Sequence, residues 1–155
     1  MEPPYDIATA YHEAGHAVMA LIHKRPVQRV SVLANQHHLG VCLFGKAVIR
    51  PSKDWLESEI LISLAGLAAE AIHTGNYAWA GAGRDLRHVH DLAVQRAGER
   101  QAERYEKRML AKAEYLLQDE GHWRAVELIV AELLRVGVIS GRAVRHLFQQ
   151  GCDAC

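Results

Sequence analysis

The chain has 155 residues, half of them hydrophobic, and its 18 basic side chains balance its 18 acidic ones to a formal net charge of zero at pH 7. This length suits one domain with its own hydrophobic core, and the charge balance argues against a protein that binds nucleic acid or a membrane surface. The longest nearly uncharged stretch, ILISLAGLAAEAI, is too short to span a bilayer, and the N-terminus lacks a signal-peptide pattern. Three cysteines are too few for a disulfide framework, so we expect a cytoplasmic protein.

The first predicted element is a helix that runs from about Asp6 to about His23. The Asp6 side chain can cap its N-terminus, and Pro26 ends it. The strand-forming segments VQRVSVLA (27–34) and LGVCLFG (39–45) follow, with the turn NQHH between them. The pattern therefore predicts a β-hairpin directly after the first helix, and the next residues, AVIRPS, predict a short third strand.

The rest of the chain predicts helices. The second begins at residue 52 or 54, ends near His73, and is separated from the third by the glycine-rich loop TGNYAWAGAG. The later predicted helices cover 84–98, 99–118, 122–137 and 140–150. We therefore expect a mainly α fold, with one helical domain over 1–150 and a small hairpin inserted after the first helix. Residues 151–155 are predicted to form a disordered tail, in which Cys152 and Cys155 have no assigned role.

The segment YHEAGHAVMA (11–20) places His12 and His16 one turn apart on one side of the first helix. At this spacing both imidazoles can bind one Zn²⁺ at about 2.0–2.1 Å. Glu13 is next to the first histidine, where it can hold a metal-bound water and take its proton rather than bind the metal. Ten histidines make a chance match more frequent, but the position in mid-helix, among apolar residues, favours a metal site.

A catalytic zinc site needs a third protein ligand, with the fourth position left to water. The candidates downstream are Glu70, His73, Asp85, His88 and His90. Glu70 lies in the second helix, where the glutamate-ligand zincins have their third ligand. Asp85 starts a helix after a glycine-rich loop, where the helix dipole favours an anion, although it could serve only as an N-cap. The chemistry of the residues leaves Glu70 and Asp85 both open.

Three segments in order, YHEAGHAV, LAGLAAEAI and GAGRDL, resemble the peptidase domain of the FtsH-type ATP-dependent zinc metalloproteases. In that family the equivalents read approximately HEAGHA, LGGRAAE and GASNDL. The resemblance includes the hairpin and a C-terminal pattern of W-x-x-V, ELL, VISG and V-x-x-L, so that it covers roughly residues 5–148. This chain departs from the family at Leu67, which replaces an arginine, and at Gly83-Arg84, which replaces Ser-Asn.

The resemblance implies a zincin-like fold with one Zn²⁺ per chain, bound by His12, His16 and Asp85, with Glu13 as the catalytic glutamate. It thereby favours Asp85 over Glu70 as the third ligand. Glu70 is then expected to orient a ligand histidine by accepting its other N–H. His88 lies one helical turn after Asp85 and is a further candidate neighbour of the site.

The function implied is that of a zinc-dependent endopeptidase that cleaves unfolded or flexible polypeptides, in a peptidase domain that stands alone without ATPase and membrane segments. An extended substrate is expected to add to an edge strand over Leu39 to Phe44. One alternative is a metal-binding adaptor or regulatory domain with little or no activity. Another is a proteolytic subunit served by a separate ATPase, and the chain could also assemble as a homo-oligomer.

Overall fold

The computed structural model describes residues 5–34, 40–45 and 53–153, and within them the chain forms six α-helices and three β-strands. In chain order they are α1 (Ile7–Ile22), β1 (Val27–Ser31), β2 (Val41–Phe44), α2 (Lys53–Thr74), α3 (Gly83–Ala97), α4 (Ala102–Leu117), α5 (Glu120–Val136), β3 (Val138–Ser140) and α6 (Gly141–Asp153). A short 3-10 helix, Trp79–Ala82, precedes α3 within the predicted loop. The predicted mainly α fold with a small β insertion is confirmed.

Helix α1 lies at the centre of the domain. It begins as predicted, because the Asp6 carboxylate accepts a hydrogen bond of 2.8 Å from the backbone N–H of Thr9. Every residue from Glu13 to Ala20 is buried, so this part of the helix is enclosed on all sides. Helix α2 is its most extensive neighbour, and α5 also packs against it. The histidine motif therefore lies at the enclosed part of α1.

The backbones of α1 and α2 approach closely at Gly15. A Cβ atom at this position would lie 2.5 Å from both the Ala65 carbonyl oxygen and the Ala69 Cβ, which is closer than van der Waals contact allows. Small residues on both helices thus permit this crossing. As a consequence, the part of α2 that carries Gly66 and Glu70 lies directly beside the two histidines of α1.

The strands form an antiparallel sheet in the order β2-β1-β3. Val30 in the central strand pairs with Cys42 on one side and with Ile139 on the other. The predicted hairpin is confirmed, but the sheet also contains β3, a segment of three residues after α5 that the sequence analysis did not predict as a strand. The third strand predicted in AVIRPS lies outside the described residues.

Helices α5 and α6 pack against each other, and α5 also packs against α1. Ser140 caps α6 as predicted, because its hydroxyl oxygen accepts a hydrogen bond of 3.1 Å from the Ala143 N–H. The helix continues through Asp153, and thus enters the segment predicted as a disordered tail. Cys152 lies in this last turn, whereas Cys155 is outside the described residues. Within the described ranges, none of the helices is both long and apolar enough to cross a membrane.

Candidate metal centre

The candidate metal centre forms where α1, α2 and the start of α3 meet. The ring atoms His12 Nε2 and His16 Nε2 lie 3.1 Å apart on α1. The Asp85 Oδ2 atom, in the first turn of α3, lies 3.2 Å from each of them. The structure therefore brings together the three residues that the resemblance implies as ligands, although 69 residues separate His16 from Asp85 in the chain.

The alternative role of Asp85 as an N-cap is wrong. Ala82 occupies the N-cap position of α3, and no side chain caps this terminus. Asp85 instead lies inside the helix, and its carboxylate is directed to the histidines rather than to the backbone N–H groups. Its side chain remains 31% exposed. The junction of α1, α2 and α3, at which His12, His16 and Asp85 meet, is therefore accessible from solvent.

The geometry of the three atoms fits a tetrahedral metal ion. Ligand atoms held at about 2.0–2.1 Å from a tetrahedral Zn²⁺ are separated from each other by roughly 3.3–3.4 Å. The observed separations of 3.1, 3.2 and 3.2 Å are close to this value. Two imidazole nitrogens and a carboxylate oxygen are also a donor set that zinc accepts.

Gly66 on α2 provides the space that an ion would need. A Cβ atom at Gly66 would lie 2.5 Å from His16 Nε2 and 2.7 Å from His12 Nε2. The absence of a side chain here leaves open the region at which both ring nitrogens are directed. Sequence analysis missed this residue, although its position one helical turn before Glu70 was a signal that both share one face of α2.

Both histidine rings are fixed through the nitrogen that faces away from the junction. The Nδ1–H of His16 donates to the Ile62 carbonyl oxygen at 2.7 Å, and that of His12 donates to Glu70 Oε2 at 3.2 Å. With Nδ1 engaged as the donor, Nε2 is the nitrogen left to bind a metal. Glu70 thus occupies the position expected for a residue that orients His12, and the Ile62 carbonyl is a second such group that sequence analysis missed.

The electrostatics of the junction couple His16 to Asp85. Burial lowers the pKa of His16, but hydrogen bonding to Asp85 and the charges of Asp85 and Glu13 outweigh it and raise this pKa to about 9. Burial would raise the pKa of Asp85, but the hydrogen bonds from His12 and His16 hold that pKa well below its usual range. Without a metal, a protonated His16 therefore pairs with an ionised Asp85 at neutral pH, and metal binding must displace this proton.

Glu13 is buried beside the two histidines, with only 6% of its surface exposed. One carboxylate oxygen of Glu13 and one ring nitrogen of each histidine lie within 4.8 Å of one another. Gly40, the residue before β2, lies against Glu13, since a Cβ atom at Gly40 would lie 3.1 Å from Glu13 Cγ. Burial, and next the charge of Glu13, raises the pKa of the Cys42 thiol on this strand. Without a metal, the Cys42 thiol is therefore protonated at neutral pH.

The other candidate ligands lie elsewhere. His73 stacks on Tyr11 with ring centroids 3.9 Å apart, and His90 pairs with Glu106 at 2.9 Å. His88 is exposed on α3, and within the described residues no hydrogen bond joins it to the junction. The geometry thus separates His73 and His90 from His12 and His16, and gives His88 no contact that supports its predicted place beside the site.

We expect Gly66→Ala to abolish metal binding. The added methyl group would occupy the space in front of both Nε2 atoms, whereas alanine in an α-helix is about 0.5–1 kcal/mol more favourable than glycine. Zinc titration followed by elemental analysis should therefore show lost zinc in a chain whose circular dichroism remains helical. Gly81→Ala is the control, because a Cβ atom at Gly81 meets nothing within 4 Å. Normal zinc affinity in Gly66→Ala would show that the ion does not bind in front of these nitrogens.

The comparisons with known proteins identify the family of this chain. The sequence profile of peptidase family M41 matches residues 5–99, which is more than half of the chain. The chain belongs to peptidase family M41. The matched residues include every residue of the junction, whereas the C-terminal pattern that the sequence analysis compared with the FtsH family lies beyond them.

Relatives from several bacteria are named ATP-dependent zinc metalloprotease FtsH. The chain is 38% identical to the protein of Photobacterium profundum over 92 residues, which cover 56% of the chain and 13% of that protein. It is 40% identical to the protein of Magnetococcus marinus over 89 residues, which cover 55% of the chain and 13% of that protein. It is 35% identical to FtsH 3 of Sorangium cellulosum over 96 residues, which cover 59% of the chain and 16% of that protein. This M41 chain therefore spans only a small part of the length of the relatives that it matches.

Proposed function

We propose that this M41 chain is a zinc-dependent endopeptidase that hydrolyses peptide bonds in unfolded or flexible polypeptides. The observation that carries the proposal is the convergence of His12 Nε2, His16 Nε2 and Asp85 Oδ2 to within 3.2 Å of one another, with Glu13 buried beside them. A site built only for structural zinc has four protein ligands. Here three converge and the fourth neighbour is a carboxylate suited to accept a proton.

His12, His16 and Asp85 would hold the zinc ion, and Glu70 and the Ile62 carbonyl would keep the two rings in the ligating orientation. Bound Zn²⁺ would supply Lewis acidity, which polarises the scissile carbonyl and lowers the pKa of water to about 7. Glu13 Oε accepts the proton of the attacking water. It then donates this proton to the amine nitrogen that leaves as the C–N bond breaks.

Strand β2 is the proposed docking edge for the substrate. In the part of the chain that the structure describes, β2 pairs only with β1 and forms one edge of the sheet. The predicted edge began at Leu39, which lies outside the described residues, and its remaining residues enter or flank β2. Because Gly40 lies against Glu13, an extended peptide that pairs with this edge would pass close to the general base.

A second candidate function is that of a proteolytic subunit served by a separate ATPase. The relatives are named ATP-dependent, and the chain spans a small part of their length. In this second function a separate partner protein supplies the ATPase. Assembly with further copies of the chain and location in the cytoplasm are also proposed, the latter because three cysteines fit a reducing compartment.

The test is hydrolysis of an unstructured polypeptide such as casein, followed by mass spectrometry of the products. We expect cleavage by the zinc-loaded chain, its loss after chelation, and its return when one equivalent of Zn²⁺ is added back. Thermal melting should be recorded alongside, because a ligand bound only to the folded state also raises the melting temperature. Melting separates a site that lost its metal from a chain that unfolded.

Stoichiometric zinc without cleavage of any flexible substrate would count against an endopeptidase that acts alone. Adding a candidate ATPase with ATP then distinguishes the two alternatives. Cleavage that appears only with the ATPase indicates a served subunit, whereas persistent inactivity indicates an adaptor or regulatory domain.

A further inference from the structure

A cavity lies at the corner between α3 and α4. Arg96 on its wall lies about 16 Å along α3 from Asp85 by the rise of the helix. The cavity has a volume of about 370 Å³. Its lining residues are Arg96, Ala97, Gln101, Arg104, Tyr105 and Arg108. The lining contains three arginines and no carboxylate, so the cavity carries a local charge of about +3 that nothing on its walls balances.

The three guanidinium groups have no acidic partner in the described ranges of the chain, where the ion pairs formed by neighbouring residues are Glu103–Lys107, Glu106–His90 and Glu57–Lys112. Arg96 lies over the ring of Tyr105, with 5.3 Å from its Cζ to the ring centroid. The Arg96 Nε atom is buried, and no hydrogen-bond partner for it exists among the described residues. An unpaired donor of this kind is costly unless a ligand or water satisfies it.

The position of these charges on α4 is unfavourable without an anion. Arg104 lies in the first turn of α4, where the helix dipole disfavours a cation. Arg108 lies one turn later, so two like charges stand at i and i+4. The α4 N-terminus also lacks a side-chain cap, which leaves backbone N–H groups available. An oxyanion at this corner would offset the unfavourable dipole at Arg104, reduce the repulsion between Arg104 and Arg108, and accept hydrogen bonds from the uncapped N–H groups.

We propose that this arginine corner, defined by Arg96, Arg104 and Arg108, binds a small molecule that carries a phosphate monoester. A phosphate dianion matches the charge of the cavity better than a single carboxylate does, and guanidinium groups bind phosphate oxygens in pairs. The volume leaves room for more than the phosphate itself and falls in the range of small-molecule sites. The metal centre lies at the opposite end of α3, so this ligand is distinct from the peptide substrate.

The test uses the zinc-loaded chain and three probes, inorganic phosphate, glycerol 3-phosphate and acetate, titrated at constant ionic strength and followed by NMR. We expect saturable shifts of the amide signals of Ala97, Gln101 and Ala102, with the signals around His12 and His16 unchanged. Arg104→Gln and Arg108→Gln should each weaken binding about tenfold or more, because each removes a charge-assisted hydrogen bond. Both side chains are exposed, so these variants are expected to fold.

Arg145→Gln is the matched control, since Arg145 is an exposed arginine on α6, away from the corner, and its replacement should leave binding unchanged. Binding of the phosphate ester tighter than that of inorganic phosphate would support a small-molecule ligand. Equal binding of acetate would overturn the phosphate assignment in favour of a carboxylate. Shifts that do not saturate, or that survive loss of Arg104 and Arg108, would overturn the site.

Discussion

Glu13→Gln is expected to abolish peptide hydrolysis while the chain keeps its zinc. Glutamine has nearly the same size and shape as glutamate, so the packing of α1 around this buried position is retained. It cannot accept the proton of water, however, and loss of a positioned general base typically costs about 10²–10⁴ in rate. The ratio kcat/KM on a flexible peptide should fall by this amount or more, and elemental analysis should still find one zinc ion per chain.

Glu99→Gln provides the control, because Glu99 is an exposed acid in the connection between α3 and α4. The activity of this variant should match that of the unaltered chain. The measured rate must also be compared with a chelated sample, which sets the background from contaminating proteases. A Glu13→Gln chain that retains zinc and still cleaves at a rate above this background would refute the role of Glu13. Loss of both zinc and activity would instead show that Glu13 is a ligand.

Much of the helical fold could be predicted because its signals are local. Asp6 caps α1 and Ser140 caps α6 as their sequence positions indicate. Strand β3 could not be predicted in the same way, since three residues after a helix carry little periodicity of their own. It forms because Ile139 pairs with Val30, more than one hundred residues earlier in the chain. Such a pairing depends on the tertiary packing of α5 and α6.

The metal centre, too, could be predicted only in part from the sequence. The spacing of His12 and His16 on one helix was sufficient to predict that their rings share a side, whereas the third partner depends on how α2 and α3 approach α1. Residue chemistry alone left Glu70 and Asp85 equivalent, and the resemblance assigned the choice. The structure adds a physical reason: Asp85 reaches both Nε2 atoms, while Glu70 reaches only Nδ1 of His12.

Replacement of Asp85 and of Glu70 should therefore have effects of different size on zinc binding. Asp85→Ala removes an atom that lies 3.2 Å from both ring nitrogens, so we expect zinc affinity to fall by more than about a hundredfold, beyond the loss typical of outer groups. Glu70→Ala removes only the acceptor that holds the His12 ring, and a loss of about tenfold to a hundredfold is expected. Competition titration against a chelator of known affinity measures both.

Asp91→Ala is the control for the first variant, because Asp91 is an exposed carboxylate on the same helix, and its zinc affinity should be unchanged. Asp85→Ala also removes the partner that keeps His16 protonated, so less proton should be released when zinc binds to this variant than to the unaltered chain. The reverse order of affinities, with stoichiometric zinc in Asp85→Ala and none in Glu70→Ala, would transfer the third-ligand role to Glu70. In that case α2 would have to turn Glu70 toward Nε2, and the hydrogen bond to His12 Nδ1 would be broken.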